Sequence, residues 1–208
     1  MIGAAAHVFA GFGVGLALAG APGPVQAILF AEAMRGGIGR GIRAMVGANG
    51  TFGLMLVALA LGISLAPPSG VVLRALKVVG GGFLLWLAVE GFRSASETAQ
   101  GTVEPRRSLP PTARGTLAVL LNPGAWLFLG AVASPLLGAA TRDGGTASAL
   151  LVVLALVIGV MIGDGAVVVF AGVGLRRAGQ RVETWVRRGL AIVLAGLGLW
   201  LIVGGVLG

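Results

Sequence analysis

Apolar residues fall along the chain in six runs, at roughly 7–31, 43–65, 71–92, 114–137, 147–173 and 187–207. Each is near the ~20 residues that an α-helix needs to cross the hydrocarbon of a bilayer. Polar connections separate the runs. The longest, "RSASETAQGTVEPRRSLPPTAR" (93–114), is rich in Ser, Thr, Pro and charge and reads as a mobile linker. The pattern predicts an all-α integral membrane protein of six transmembrane helices. One transmembrane domain, 1–208, then divides into a first unit at 1–92, a linker at 93–113 on the cytoplasmic side and a second unit at 114–208. The start of the chain imitates a signal peptide ending in small residues. It lacks a basic n-region and its apolar run outlasts an h-region, so an uncleaved first span is expected.

Composition sharpens this picture. With 57% hydrophobic and 11% charged residues, the chain belongs among membrane proteins before any motif is considered. Its 38 glycines far exceed the usual share of about 7% and follow no collagen-like period, which points to close helix–helix approach in a bilayer. The absence of Cys excludes thiol redox chemistry and Cys-ligated metals, and a lone His7 excludes a multi-histidine site within one chain. No cofactor and no resident metal are expected. Charge placement gives orientation. The connections after runs one, three and five carry twelve of the fifteen Lys and Arg residues; Arg74, Lys77 and Arg142 are the other three. The positive-inside rule puts those three connections in the cytoplasm and both termini outside. It also accounts for the net charge of +8 without nucleic acid, since such arginines meet anionic lipid heads.

Two runs are interrupted. "AGAPGPVQA" sets Pro22, Gly23 and Pro24 inside the first, and "LLNPGAW" sets Asn122, Pro123 and Gly124 inside the fourth. Proline lacks the amide hydrogen and clashes with the preceding turn, so each run should break there. In hydrocarbon such a break persists only facing protein or a wet cavity. The two halves also echo one another. At one constant offset Arg74 meets Arg188, Gly82 meets Gly196, Leu85-Trp86-Leu87 meets Leu199-Trp200-Leu201 and Gly91 meets Gly205. Units of three spans each must be inverted relative to one another. Inverted repeats with broken helices in matching places are a mark of secondary transporters, where half-helix N-termini face an anionic substrate group.

These features resemble the LysE/RhtB family of bacterial amino-acid exporters. The likeness rests on "GAPGPVQAILFAEAMRGGIGRGIRAMVGA" (20–48), "LKVVGGGFLLWLAVEGFRS" (76–94), "LLNPGAWLFLGA" (120–131) and "RGLAIVLAGLGLWL" (188–201), with six-span spacing over nearly the whole chain. The resemblance implies a multi-pass protein of the bacterial inner membrane that exports amino acids or similar small metabolites, driven by the proton gradient. The sequence departs from the family pattern where many members follow PGP with an acid or amide, since Val25 stands there and Gln26 comes one later. Many also carry lysine after Asn-Pro, where Gly124 stands.

Candidate residues follow from depth in the membrane. Asp164, within run five, is costly there and reads as a proton carrier, a partner for a substrate amine or a buried salt-bridge partner. Glu90 reads first as a partner for Arg93 or another basic residue and second as a proton-coupling charge on the cytoplasmic side. Glu32 and Arg35, three apart, should pair on one helix face. Gln26 and Asn122 flank the breaks and either bond substrate or cap freed backbone groups. Asn49, among Gly47, Gly50 and Gly53, is expected mainly to bridge helices and otherwise to meet the substrate or a salt-bridge partner. Lys77 either snorkels to the outer interface or holds a substrate carboxylate or Asp164. His7 and the tryptophans are expected at interfaces, with Trp126 singled out as a wall of the cavity.

The expected function is proton-coupled export of an amino acid or related zwitterion, with Pro22, Gly23, Pro24, Gln26, Asn122, Pro123, Gly124, Trp126 and Asp164 at the substrate. A divalent-metal exporter is the alternative, weakened because hard cations want several oxygen ligands and the membrane interior offers essentially one acid. No Ser–His pairing, acidic dyad or HExxH element appears, so an enzyme is not expected. The expected partners are the small substrate, protons and lipids, with a lean towards a homodimer.

Overall fold

The computed structural model describes residues 2–21, 23–62, 70–100, 109–174 and 180–207. They form helices α1 (Ile2–Gly20), α2 (Pro24–Gly36), α3 (Ile38–Ala60), α4 (Gly70–Gln100), α5 (Pro111–Leu120), α6 (Pro123–Phe128), α7 (Ser134–Val169) and α8 (Gln180–Val206). A wide π-type turn, Leu129–Ala133, joins α6 to α7, and a second, Phe170–Gly174, follows α7. No strand occurs among the described residues.

Local chemistry explains the ends. α1 stops at Gly20, and α2 starts with Pro24 at its first position, after Gly23 in an extended conformation. The two helices meet at a bend of 65°. Pro22 itself lies outside the described residues. α2 ends at Gly36 and is capped by Gly37, whose φ of 77° is open to glycine and strained for other residues, and α3 begins directly after it. α5 stops at Leu120 because Pro123 has no N–H to give and drives Asn122 into an extended conformation (φ −90°, ψ 106°). At the end of run three the structure differs from expectation. α4 continues to Gln100, two turns into the stretch read as a mobile linker, since "SASETAQ" holds helix formers and no Gly or Pro before Gly101.

Among the described residues, four stretches are long and apolar enough to cross a membrane: Ile38–Ala60, Gly70–Glu90, Pro123–Val173 and Thr184–Val206. The bent pair α1 and α2 makes a fifth if counted as one. Pro123–Val173 breaks at Gly144 and Gly145, whose backbone is not helical. Its two arms run in opposite senses. Gly47 lies against Thr112 and Thr51 bonds Thr116, so α5 rises in step with α3, and Phe128 of α6 then meets Phe52 in a tilted ring contact. A Cβ on Gly53 would meet Val157 and one on Gly41 would meet Val168, so the later arm descends against α3.

Three helix pairs carry most of the assembly, and glycine closes each. α1 lies parallel to the second arm of α7. A Cβ on Gly15 would collide with the Leu156 carbonyl, and one on Gly159 with that of Phe12. α3 lies parallel to α5. There a Cβ on Gly47 would strike the Thr112 carbonyl, and one on Gly115 the Ala44 carbonyl. α4 crosses α8 antiparallel at Gly81 and Gly198. The high glycine content thus serves backbone-to-backbone contact, the packing mode that suits an apolar solvent.

Candidate functional site

The interruption after α1 and the interruption before α6 open onto the same cavity, about 560 Å³ in volume. Gly23, Pro24, Val25 and Gln26 line it from the first break, and Asn122, Pro123 and Gly124 from the second. Asn49 and Phe52 of α3, Lys77 of α4, Asp164 of α7 and Leu197 and Trp200 of α8 complete much of the wall. The volume falls within the range of small-molecule sites, roughly 300–1,000 Å³.

Asp164 is fully buried (0% exposed). Its Oδ1 accepts from the Gln26 amide at 3.3 Å, while Oδ2 has no hydrogen-bond partner. Asn49 approaches the same carboxylate, yet its Nδ2 reaches no partner in hydrogen-bond geometry. A buried orphan acceptor beside a buried orphan donor is costly. The arrangement is one that a ligand with its own donors would relieve. On the other flank, Lys77 Nζ donates to the Gly204 carbonyl at 3.2 Å. Among the described residues, Asp164 and Lys77 are the charged side chains on this wall.

The two breaks are not equivalent. At the start of α6, Asn122 Oδ1 accepts from Gly124 N at 3.0 Å, an N-cap that already satisfies this helix end. α2 has no side-chain cap. The first-turn N–H groups of Val25 and Gln26 have no acceptor inside their own helix. Trp126, expected on the wall, does not line the cavity. Its indole N–H donates to the Leu120 carbonyl at 2.9 Å, an acceptor that the proline break leaves without its helical donor.

Glu90 also lies away from the cavity. It accepts from Arg114 at 2.6 and 2.8 Å and pairs with Arg35 at 3.1 Å, so its basic partners here are these two arginines. Glu32 and Arg35 do pair, at 3.8 Å, but Glu32 is held more closely by Arg40 at 2.6 Å and Arg114 at 2.9 Å. Arg114, which sequence reasoning left among the loop arginines, is buried at 1% exposure. It also donates to Leu109 O and lies 5.4 Å from the Trp86 ring centre. The five residues come from α2, α3, α4 and α5. On each helix they lie at the same side of the cavity: Glu90 is about 20 Å along α4 from Lys77, and Arg40 about 13 Å along α3 from Asn49. The pocket against Glu32, Arg35 and Arg114 measures about 30 Å³, room for a water and not for a metabolite. His7, expected at an interface, bonds Asp143 at 2.8 Å and belongs to neither group.

The model of the LysE type translocator family matches residues 16–205, a span that holds both breaks, Asp164 and the ionic cluster. The chain belongs to the LysE type translocator family. It is therefore a multi-pass membrane transporter of a small-molecule substrate, in a family of transporters and not of enzymes. Neither the curated proteins nor the solved structures yield a match.

Proposed function

We propose that this translocator exports an amino acid or a related small zwitterion across the bacterial inner membrane, in exchange for protons. What carries this reading is the meeting of two proline-broken helices and one buried, half-satisfied carboxylate on a single cavity. The substrate ammonium takes the free Oδ2 of Asp164. Its carboxylate faces the uncapped first turn of α2, where N–H groups and the positive end of the helix favour an anion. Lys77 adds a second positive group on the opposite flank.

Asp164 also supplies a route to coupling. One carboxylate holds either an ammonium group or a proton, so a proton arriving from outside displaces the substrate, and the substrate displaces the proton on the inner side. Competition for one site is sufficient for antiport. The arginine-rich end is assigned to the cytoplasm by the distribution of Lys and Arg. The cluster of Glu32, Arg35, Arg40, Glu90 and Arg114 then closes the cavity on the cytoplasmic side and must separate to admit substrate. Arg114 is its one member from the second half of the chain, which makes it the pin between halves. Six spans in two inverted units are supported by the pairing pattern. Exchanging the halves turns the parallel packing of α1 on α7 into that of α5 on α3, and maps the α4–α8 crossing onto itself.

Divalent-metal export is less well supported. Among the described residues, no group of three or more His, Asp or Glu side chains could hold a metal ion. Purified protein in liposomes, given an inward proton gradient, should drive release of labelled neutral amino acids. Movement of divalent cations alone would overturn the reading.

A further inference from the structure

The cavity wall is charge-balanced and largely apolar. Asp164 and Lys77 are its charged side chains among the described residues, and Gln26, Asn49 and Asn122 are polar. Asn122 is already committed to the Gly124 N–H, and Gln26 to Asp164. Much of the remaining wall comes from Leu18, Val25, Phe52, Phe128, Leu197 and Leu201. Phe52 and Phe128 meet in a tilted contact with ring centres 5.7 Å apart. A volume of about 560 Å³ matches the space of about nineteen waters at ~30 Å³ each, so size does not restrict the ligand to the smallest amino acids.

We infer that the substrate is a monoamino, monocarboxylic amino acid with a bulky apolar side chain, and that dibasic and dicarboxylic amino acids are rejected. The inference rests on the exporter reading above and narrows it. One ammonium finds Asp164 and one carboxylate finds the α2 N-terminus or Lys77. A leucine- or phenylalanine-like side chain then buries its surface against the apolar wall. A second ammonium, as in lysine, meets that wall with no acid to receive it. The wall carries one acid and one cation, so glutamate, with two carboxylates and one ammonium, leaves a net negative charge in the site. An unpaired charge in such a site is heavily penalised, and discrimination of about ten- to a hundredfold follows even where water partly compensates.

The test is competition in proteoliposomes against counterflow of radiolabelled leucine. Phenylalanine and methionine should compete within about threefold of unlabelled leucine, while lysine and glutamate should need about ten- to a hundredfold more. Leucinamide and 4-methylpentanoate each remove one charged group without altering the protein, so folding is not at issue, and both should be weak competitors. If leucine moves but lysine or glutamate competes equally well, the side-chain inference fails and the exporter reading stands. If the two truncated analogues match leucine, recognition of a zwitterion is wrong. If leucine shows no counterflow while lysine does, the charge argument is overturned. If no amino acid moves, the exporter reading falls and takes this inference with it.

Discussion

Replacing Arg114 with methionine removes the pin of the ionic cluster while keeping much of its stem volume. Arg114 holds Glu32 at 2.9 Å and Glu90 at 2.6 and 2.8 Å, and only 1% of it is exposed. Breaking a buried pair that strands its partner costs about 3–5 kcal/mol. Here neither acid is stranded: Glu32 keeps Arg40 at 2.6 Å and Glu90 keeps Arg35 at 3.1 Å. The side chain of Glu90 is also 25% exposed, so water screens part of the loss. A penalty nearer to about 2 kcal/mol is expected, which shifts the balance between closed and open cytoplasmic ends by about 30-fold. The natural absence of cysteine makes this measurable. A single cysteine at Ala125, on the cavity wall, should react with a membrane-impermeant thiol reagent in inverted vesicles about 30-fold faster once Arg114→Met is added. Arg114→Lys should fall between, since an ammonium lacks the fork that reaches two acids. An unchanged or slower rate in folded Arg114→Met protein would refute the assignment of this cluster as the closed inner end.

Gly47→Leu should lower the melting temperature in detergent by an amount equivalent to about 1–3 kcal/mol, because the new side chain drives α3 off the Thr112 carbonyl. Gly50→Leu, with nothing within 4 Å of its Cβ position, is the matched control and should leave the melting temperature unchanged or higher. Asn122→Ala removes the cap on Gly124 N and should cost about 1 kcal/mol in the same assay; no change would show that the α6 end is satisfied by other means. For orientation, a cysteine at Leu207 should label from outside intact cells and one at Arg93 only after permeabilisation. The reverse pattern would invert the membrane topology and the assigned substrate path.

Much of the architecture is legible from local chemistry. Apolar run length marks the helices, and Pro24 and Pro123 mark breaks because proline's missing N–H acts on its own turn. Asp164 stands out because one carboxylate in an apolar run is expensive wherever the run goes. What stays hidden depends on distant partners. Arg114 looks like any arginine of a basic connection, and its partner Glu32 is 82 residues away. The same holds for Asn49, whose place beside Asp164 needs α3 and α7 to be brought together. Trp126 misled for a related reason: its position one turn after the break suggested a cavity wall, but the freed Leu120 carbonyl within reach claims its N–H. The end of α4 shows a weaker kind of miss, where polar composition suggested a linker although each residue up to Gln100 tolerates a helix.

The most direct test follows amino-acid and proton fluxes together in the same proteoliposomes, for the wild type and for Asp164→Asn. A radiolabelled amino acid reports one flux and a trapped pH indicator the other. In the wild type, leucine leaving down its gradient should draw protons in, and an imposed inward proton gradient should drive leucine out. Asp164→Asn should lose proton-driven export and leucine exchange alike, by about a hundredfold or more, because substrate and proton share that carboxylate. Leucine movement with no accompanying proton flux, or an Asp164→Asn protein that transports like the wild type, would contradict the account.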